Sequence, residues 1–342
     1  MVKRAFLLAL FSYTSTVYWC AKPTDLNISD LLSFLHNNSI TSLQLQKVSG
    51  GLSSPIVYKA SCNDLALFIK GLERGQAGIH ETTYAQHGAS LGIAPKLYTT
   101  TPNFIVTDFI EGKTLTPRLL ENSQAGTQIL RNVATSLKTL HMSKAPLKTI
   151  RDIFSHIYSL YSLLSVTGSL KEKLDRAISY LKIIQAKMER VPIGSTPCHN
   201  DLHPRNIVID SNNRVFFLDW QIASISNPFY DLAYFIINNA LTPTQERLFL
   251  EFYCPELLID PWISYLEDMK QVVRLTDALT IFAITQDLDP VALTLPYIKP
   301  INPMLRYYLE QFAENSSNDS AGFFYGFAWA FLEAYYENCN NR

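Results

Sequence analysis

Between Cys198 and Trp220 lies the segment that most constrains what this chain can fold into. Two short apolar runs, Ile207-Val208-Ile209 and Val215-Phe216-Phe217-Leu218, flank Asp210-Ser211-Asn212-Asn213-Arg214. Asparagine tolerates the positive φ of tight turns, so the spacing predicts an antiparallel hairpin. With a two-residue Asn212-Asn213 loop, Asn206 falls directly opposite Asp219. Opposed residues on such a pair have Cβ atoms about 4.5–5.5 Å apart, where an amide oxygen and a carboxylate can hold one hard cation such as Mg²⁺. Just ahead runs His199-Asn200-Asp201-Leu202-His203-Pro204-Arg205-Asn206, which sets Asp201 on the loop leading into the hairpin. A carboxylate there can accept the proton of a bound hydroxyl. Phosphoryl transfer needs little beyond an oriented nucleophile, metal ions and a cation on the phosphates. A polar turn with helix caps would account for any one of these residues. The spaced set Asp201, Asn206 and Asp219 followed by a hairpin points to chemistry.

The N-terminal half supplies matching parts. Residues 43–48, 56–59 and 65–70 read as strands, 76–91 as a helix, and 96–99 and 104–109 as two further strands, which together form a small lobe. Alternation along 65–70 puts Leu65, Leu67 and Ile69 on one face and Ala66, Phe68 and Lys70 on the other, so Lys70 extends from an apolar surface. Glu81 sits at helical spacing from Tyr84, Ala85 and Gly88, a stripe on which an unpaired carboxylate is costly. Lys70 and Glu81 are therefore an expected ion pair that orients the lysine. The loop Gly50-Gly51-Leu52-Ser53-Ser54 can lie over phosphates through backbone N–H groups, and a plain hairpin turn explains it equally well. From Ala125 onward the pattern is helical, with Ile129, Val133, Leu137 and Leu140 on one stripe.

Composition narrows the class further. A net charge of -1 lacks the basic excess of a nucleic-acid binder, and 17% charged with 47% hydrophobic residues fits a globular chain. Cys20, Cys62, Cys198, Cys254 and Cys339 are scattered without a CxxC or Cys/His cluster, which favours reduced thiols and a cytoplasmic setting. Val2-Lys3-Arg4 followed by Ala5-Phe6-Leu7-Leu8-Ala9-Leu10-Phe11 has the order of a secretory signal, yet no A-x-A site follows. The run is also shorter than the roughly 20 residues of a spanning helix. Export, a helix that touches a membrane through residues 5–20, and an extended start all remain open.

From about Ser42 to Phe235 the chain resembles the choline/ethanolamine kinase and aminoglycoside phosphotransferase superfamily. The likeness is strongest in Cys198-His-Asn-Asp-Leu-His-Pro-Arg-Asn206, Phe217-Leu-Asp-Trp220 and Asn227-Pro-Phe-Tyr-Asp-Leu-Ala233. In motif it is nearest to bacterial choline kinase or thiamine kinase. The resemblance implies an α+β, protein-kinase-like fold of two lobes. Residues 28–112 would form the nucleotide-binding N-lobe after an extension over 1–27, and 113–342 the mainly helical C-lobe. It further implies ATP and Mg²⁺, with Asp201 as catalytic base, Asn206 and Asp219 as metal ligands, and Lys70 as phosphate lysine with Glu81 as partner. Gly51, Ser53 and Ser54 would cover the phosphates, and the backbone of Asp108 and Ile110 would meet adenine. His199 and Asp231 would support the catalytic loop. Many choline-kinase relatives carry a glutamate where this chain has Gln221, which removes a negative charge near the metals or the amine.

Acceptor identity rests on the C-terminal third. Phe323, Phe324, Tyr325, Phe327, Trp329, Phe331, Tyr335 and Tyr336 crowd one predicted helix. Aromatic faces bind quaternary ammonium by cation–π attraction, so Trp329 and Tyr325 are candidates for an acceptor cage. Residues 323, 327 and 331 also fall at the spacing of a core face. The expected substrate is a small cationic alcohol, choline or ethanolamine first, thiamine second and an aminoglycoside third. A pseudokinase-like binding module is the non-enzymatic alternative, against which the intact Lys70, Asp201, Asn206 and Asp219 speak.

Overall fold

The computed structural model describes residues 44–48, 57–62, 65–72, 75–101, 103–121, 123–289, 293, 305–314 and 321–340. The apolar segment at residues 5–20 and the loop residues Gly51, Ser53 and Ser54 lie outside them. Five strands open the described chain: β1 Gln44–Val48, β2 Val57–Cys62, β3 Leu65–Gly71, β4 Leu97–Thr100 and β5 Phe104–Asp108. They form one antiparallel sheet in the order β1-β2-β3-β5-β4. Leu67 and Ile69 of β3 point to the inner face, where they pack with Ala60, Phe104 and Val106.

Helix α1, Gln76–Ser90, follows β3 and is fastened to the C-terminal part of the chain. His80 Nε2 lies 2.6 Å from the Ala223 carbonyl oxygen, and His87 Nε2 lies 2.8 Å from the Ser143 hydroxyl. A Cβ added at Gly88 would stand 2.4 Å from Trp220 Cζ2, so a glycine is needed for the helix to approach the indole this closely.

Beyond the linker, β6 Gly112–Thr114 pairs with β8 Ile207–Asp210, which pairs with β9 Val215–Phe217. A second small ladder joins β7 Thr196–Cys198 to β10 Ser224–Ser226. The rest is helical: α2 Gln124–Met142, α3 Ile153–Leu163, α4 Gly168–Met188, α5 Pro228–Asn238, α6 Pro243–Tyr253, α7 Trp262–Leu288, α8 Leu305–Glu314 and α9 Ala321–Asn340. The stripe Ile129, Val133, Leu137 and Leu140 of α2 is buried in one large core with α5 and α7, each side chain contributing roughly 1.5–3 kcal/mol by leaving water. Side-chain caps start these helices where the sequence offers them. Ser123 accepts from Gly126 N, Asn227 accepts from Phe229 N ahead of Pro228, and Thr242 with Gln245 closes a capping box.

The hairpin forms with a register one residue away from the expected one. Ile207 faces Phe217 and Ile209 faces Val215, so Asn206 stands opposite Leu218 rather than Asp219, and the Leu218 N–H donates to the Asn206 carbonyl at 2.8 Å. The cause is the turn. The Asp210 carboxylate accepts from the N–H groups of Asn212 and Arg214, both at 2.8 Å, and Asn213 takes a left-handed φ of 60°. That local capping stabilises a three-residue loop over the two-residue one. No helix among the described residues is long and apolar enough to cross a membrane.

Candidate active site

Lys70 reaches out of β3 toward two acids. Its Nζ donates to Glu81 Oε1 at 2.6 Å and to Asp219 Oδ1 at 2.9 Å, so one buried lysine joins the sheet, α1 and the end of the hairpin. Burial alone would pull the ammonium toward neutrality, but the charges of Asp219 and Glu81 outweigh it and hold the pKa above its ordinary value. Asp219 shows the converse. Burial opposes its charge, yet Lys70 dominates and keeps the carboxyl below the usual range. Asp219 has φ 58°, a left-handed conformation that favours glycine and costs other residues about 1–2 kcal/mol. The turn ends the ladder directly after Leu218 and aims the carboxylate at Lys70, so the off-register hairpin still delivers Asp219 to the site.

Asp201 is held on the opposite side of the hairpin start. The Tyr234 hydroxyl donates to Oδ1 at 3.0 Å, and Asn206 Nδ2 donates to both the Asp201 carbonyl and Oδ2 at 2.9 Å. His203 Nε2 lies 3.7 Å from the same carboxylate. With its Nδ2 committed to Asp201, the Asn206 side chain presents Oδ1 as a hard oxygen ligand, and Asp219 supplies a carboxylate. This donor set fits Mg²⁺, which takes oxygen ligands and favours sites with one or two carboxylates.

The loop that carries Asp201 is pinned from below. Asp231, fully buried at the first turn of α5, accepts from His199 N at 2.8 Å, Asn200 N at 2.7 Å and His141 Nε2 at 3.0 Å. Asn200 has φ 66° and its Nδ2 donates to the Ile222 carbonyl and the Ser224 hydroxyl. His199 donates from Nε2 to the Leu218 carbonyl at 2.9 Å, and burial lowers its pKa, so it serves as a neutral strut. His141, Cys198 and Asp231 bring three possible ligand atoms within 4.8 Å of one another. Their chemistry is already spent. Asp231 accepts the three N–H groups, the Tyr253 hydroxyl meets His141 Nδ1, and burial pushes the Cys198 thiol well up, so the cluster is a hydrogen-bond network.

At the linker, Asp108 N donates to the Lys96 carbonyl at 2.9 Å and the Asp108 carboxylate accepts from the Tyr98 hydroxyl at 2.7 Å. The Asp108 carbonyl oxygen accepts from the Thr107 hydroxyl at 3.2 Å, and the backbone of Asp108 to Ile110 follows as the stretch that would meet a base.

The aromatic cage expected around Trp329 and Tyr325 does not form. Trp329 is 1% exposed and its ring meets Phe282 and Tyr325 edge-on at 5.9 and 6.2 Å. The cation near its face is the chain's own Lys173, whose Nζ is 5.4 Å from the ring centroid. Because α9 packs along α7, this run of aromatics is core, and the expectation of an acceptor cage there is corrected to a packing role.

Residues with no sequence signal of their own stand nearer the chemistry. Tyr230, Tyr234 and Asn238 form one stripe of α5; Tyr234 holds Asp201, and Asn238 Nδ2 donates to Asp277 Oδ2 on α7 at 2.8 Å. The one hint in the sequence is an acid inside the apolar turn Leu275-Thr276-Asp277-Ala278-Leu279. Burial raises the Asp277 carboxyl from 3.8 to about 8, with the Asp201 charge adding to the rise and Asn238 and Arg151 opposing it. A carboxyl whose folded pKa lies above its unfolded one stabilises fully below the unfolded value, and that stabilisation is lost as pH rises through the folded value. Asp277→Asn is therefore expected to melt close to wild type near pH 4, to gain on it as pH rises, and to level off above pH 8. Thermal melts across that range check it; a constant difference would refute the linkage.

A family model described as choline/ethanolamine kinase matches residues 75–252, just over half of the chain. The LicA homologue of Metamycoplasma hominis is 31% identical over 164 residues, which span 48% of this chain and 62% of that relative. Among solved structures, a choline/ethanolamine kinase family protein from Mesorhizobium loti superposes with a TM-score of 0.66 at 17% identity, covering 91% of this chain and 95% of its own. The choline kinase LicA from Streptococcus pneumoniae gives 0.61 at 16% identity, covering 90% and 100%. The fold is thus the kinase-like one, and with catalytic-loop, hairpin and buttress residues all inside the matched segment, the chain belongs to the choline/ethanolamine kinase family.

Proposed function

We propose that this chain transfers the γ-phosphoryl group of ATP to the hydroxyl of a small amino alcohol, choline or ethanolamine. The observation that carries the reading is Asp201, fixed between Asn206 and Tyr234 on a buttressed loop, with Asp219 and Lys70 meeting at the end of the same hairpin. The Asp201 carboxylate takes the acceptor proton as the alcohol oxygen bonds to the γ-phosphorus and the bridging P–O bond breaks to release ADP. Lys70, kept cationic by its two acids, faces the phosphates. Asn206 and Asp219 would hold Mg²⁺, which supplies charge neutralisation on the phosphate oxygens. Residues 28–112 act as the nucleotide lobe and residues 113–342 as the catalytic and acceptor lobe, with the linker at Asp108–Ile110 against the base. Incubation with Mg-ATP and a panel of choline, ethanolamine, thiamine and an aminoglycoside tests the reading by acceptor-dependent ADP release. Release that no member of the panel stimulates would sink it.

Asp219→Ala separates metal chemistry from folding. Turnover dependent on Mg²⁺ is expected to fall at least about 10²-fold, since a ligand and the anchor of Lys70 go together. A modest fall in melting temperature is expected beside it, because alanine keeps the Cβ at this left-handed φ and leaves Lys70 with one of its two acids, so turnover is measured well below that temperature. Retained turnover would remove Asp219 from the metal site.

A further inference from the structure

We propose that Asp277, together with the ring of Tyr234, forms the subsite that takes the positively charged end of the acceptor. The inference rests on the phosphotransfer reading for its orientation, since Asp201 marks where the hydroxyl must lie. Tyr230, Tyr234 and Asn238 are spaced one turn apart on α5, about 5.4 Å per turn. The middle residue contacts the catalytic carboxylate, and the last contacts Asp277. One helix face therefore leads from the proton acceptor to a second acid, through contacting residues one turn apart. Tyr230, 1% exposed, backs Tyr234, the two ring centroids 5.7 Å apart.

Asp277 is 7% exposed, and its hydrogen-bond donor is the neutral amide of Asn238. The charged groups that bear on it are Asp201, which opposes its ionisation, and Arg151, which favours it weakly enough that the carboxyl stays well above its ordinary range. A buried acid in this state is expensive to ionise until a cation arrives. A trimethylammonium group offers no N–H to donate, so what recognises it is the field of a carboxylate and the faces of neutral aromatic rings. Burial raises the hydroxyl pKa of both Tyr230 and Tyr234, which keeps those rings neutral. At Trp329, by contrast, Lys173 already stands near the indole face.

The test compares choline with 3,3-dimethylbutan-1-ol, which has the same shape and no charge, in wild type, Asp277→Asn and Asp277→Glu. Turnover with Mg-ATP is measured alongside calorimetric binding of each alcohol. Wild type should favour choline. In Asp277→Asn the choline KM should rise roughly 10- to 100-fold, the scale of one charge pair at this depth, with the neutral alcohol unaffected and kcat largely kept. Asp277→Glu should retain part of the preference. ATP binding and melting report on the fold; should the asparagine variant fail to fold, Asp277→Ser carries the same comparison. An unchanged choline preference in a folded variant overturns the inference and leaves the phosphotransfer reading standing. If wild type turns over neither alcohol, Asp277-dependent choline binding upholds the cation subsite while the reaction falls. Choline binding that is absent, or indifferent to Asp277, overturns the subsite.

Discussion

Replacing Asp201 with asparagine is expected to lower kcat by about 10²–10⁴, the usual worth of a positioned base, while the ATP affinity and melting temperature stay near wild type. The substitution is close to isosteric. The new amide can keep its oxygen toward Asn206 Nδ2 and turn its NH2 to the Tyr234 hydroxyl, which then accepts instead of donating, so what disappears is the capacity to take a proton. Steady-state kinetics with the best acceptor of the panel, beside a nucleotide titration and a thermal melt, give the answer. A kcat within a factor of a few of wild type would exclude Asp201 as the base, and a matching drop in melting temperature would make its role structural.

The second large effect is on stability. Asp231→Ala leaves two buried main-chain N–H groups and the His141 ring without their acceptor, and each orphaned donor costs about 1–3 kcal/mol. The sum is several kcal/mol, which should lower the melting temperature by on the order of 10 °C in a chain of this size. Residual turnover measured well below that temperature should survive better than in Asp219→Ala. If Asp219→Ala unfolds the protein and Asp231→Ala merely stops turnover, the division between ligand and buttress is reversed.

Local pattern made much of this legible from the residues alone. Alternation in Leu65 to Lys70 is enough to choose the inner face of β3, and an acid on the apolar stripe of α1 is enough to ask for a nearby lysine. Both are short-range statements about which atoms leave water. The hairpin register was not legible, because it depends on whether Asp210 caps the turn, a difference of one side-chain conformation that slips every cross-strand partner by one. Nor could the pattern decide whether the aromatics of α9 face a ligand or α7. A helix that is apolar nearly all round records burial, and only the neighbouring helix determines what buries it. Tyr234 and Asp277 escaped for a related reason: their partners lie 33 and 39 residues away, at Asp201 and Asn238.

The close seat of Gly88 on Trp220 has a mechanical consequence. With the His80 and His87 contacts, it clamps α1 to the larger lobe along most of the helix, so α1 travels with that lobe although its sequence lies between strands of the sheet. Glu81 and Asp219 then sit on one rigid body and Lys70 on the other. Any gaping of the cleft must pull a single lysine away from two carboxylates at once, which makes Lys70 the latch of the jaw. Because Lys70 and Glu81 are buried, ordinary salt screens their contact weakly, and release calls for a competing cation on the half-buried Asp219 or an anion on Lys70, the two charges a metal-bound nucleotide brings together.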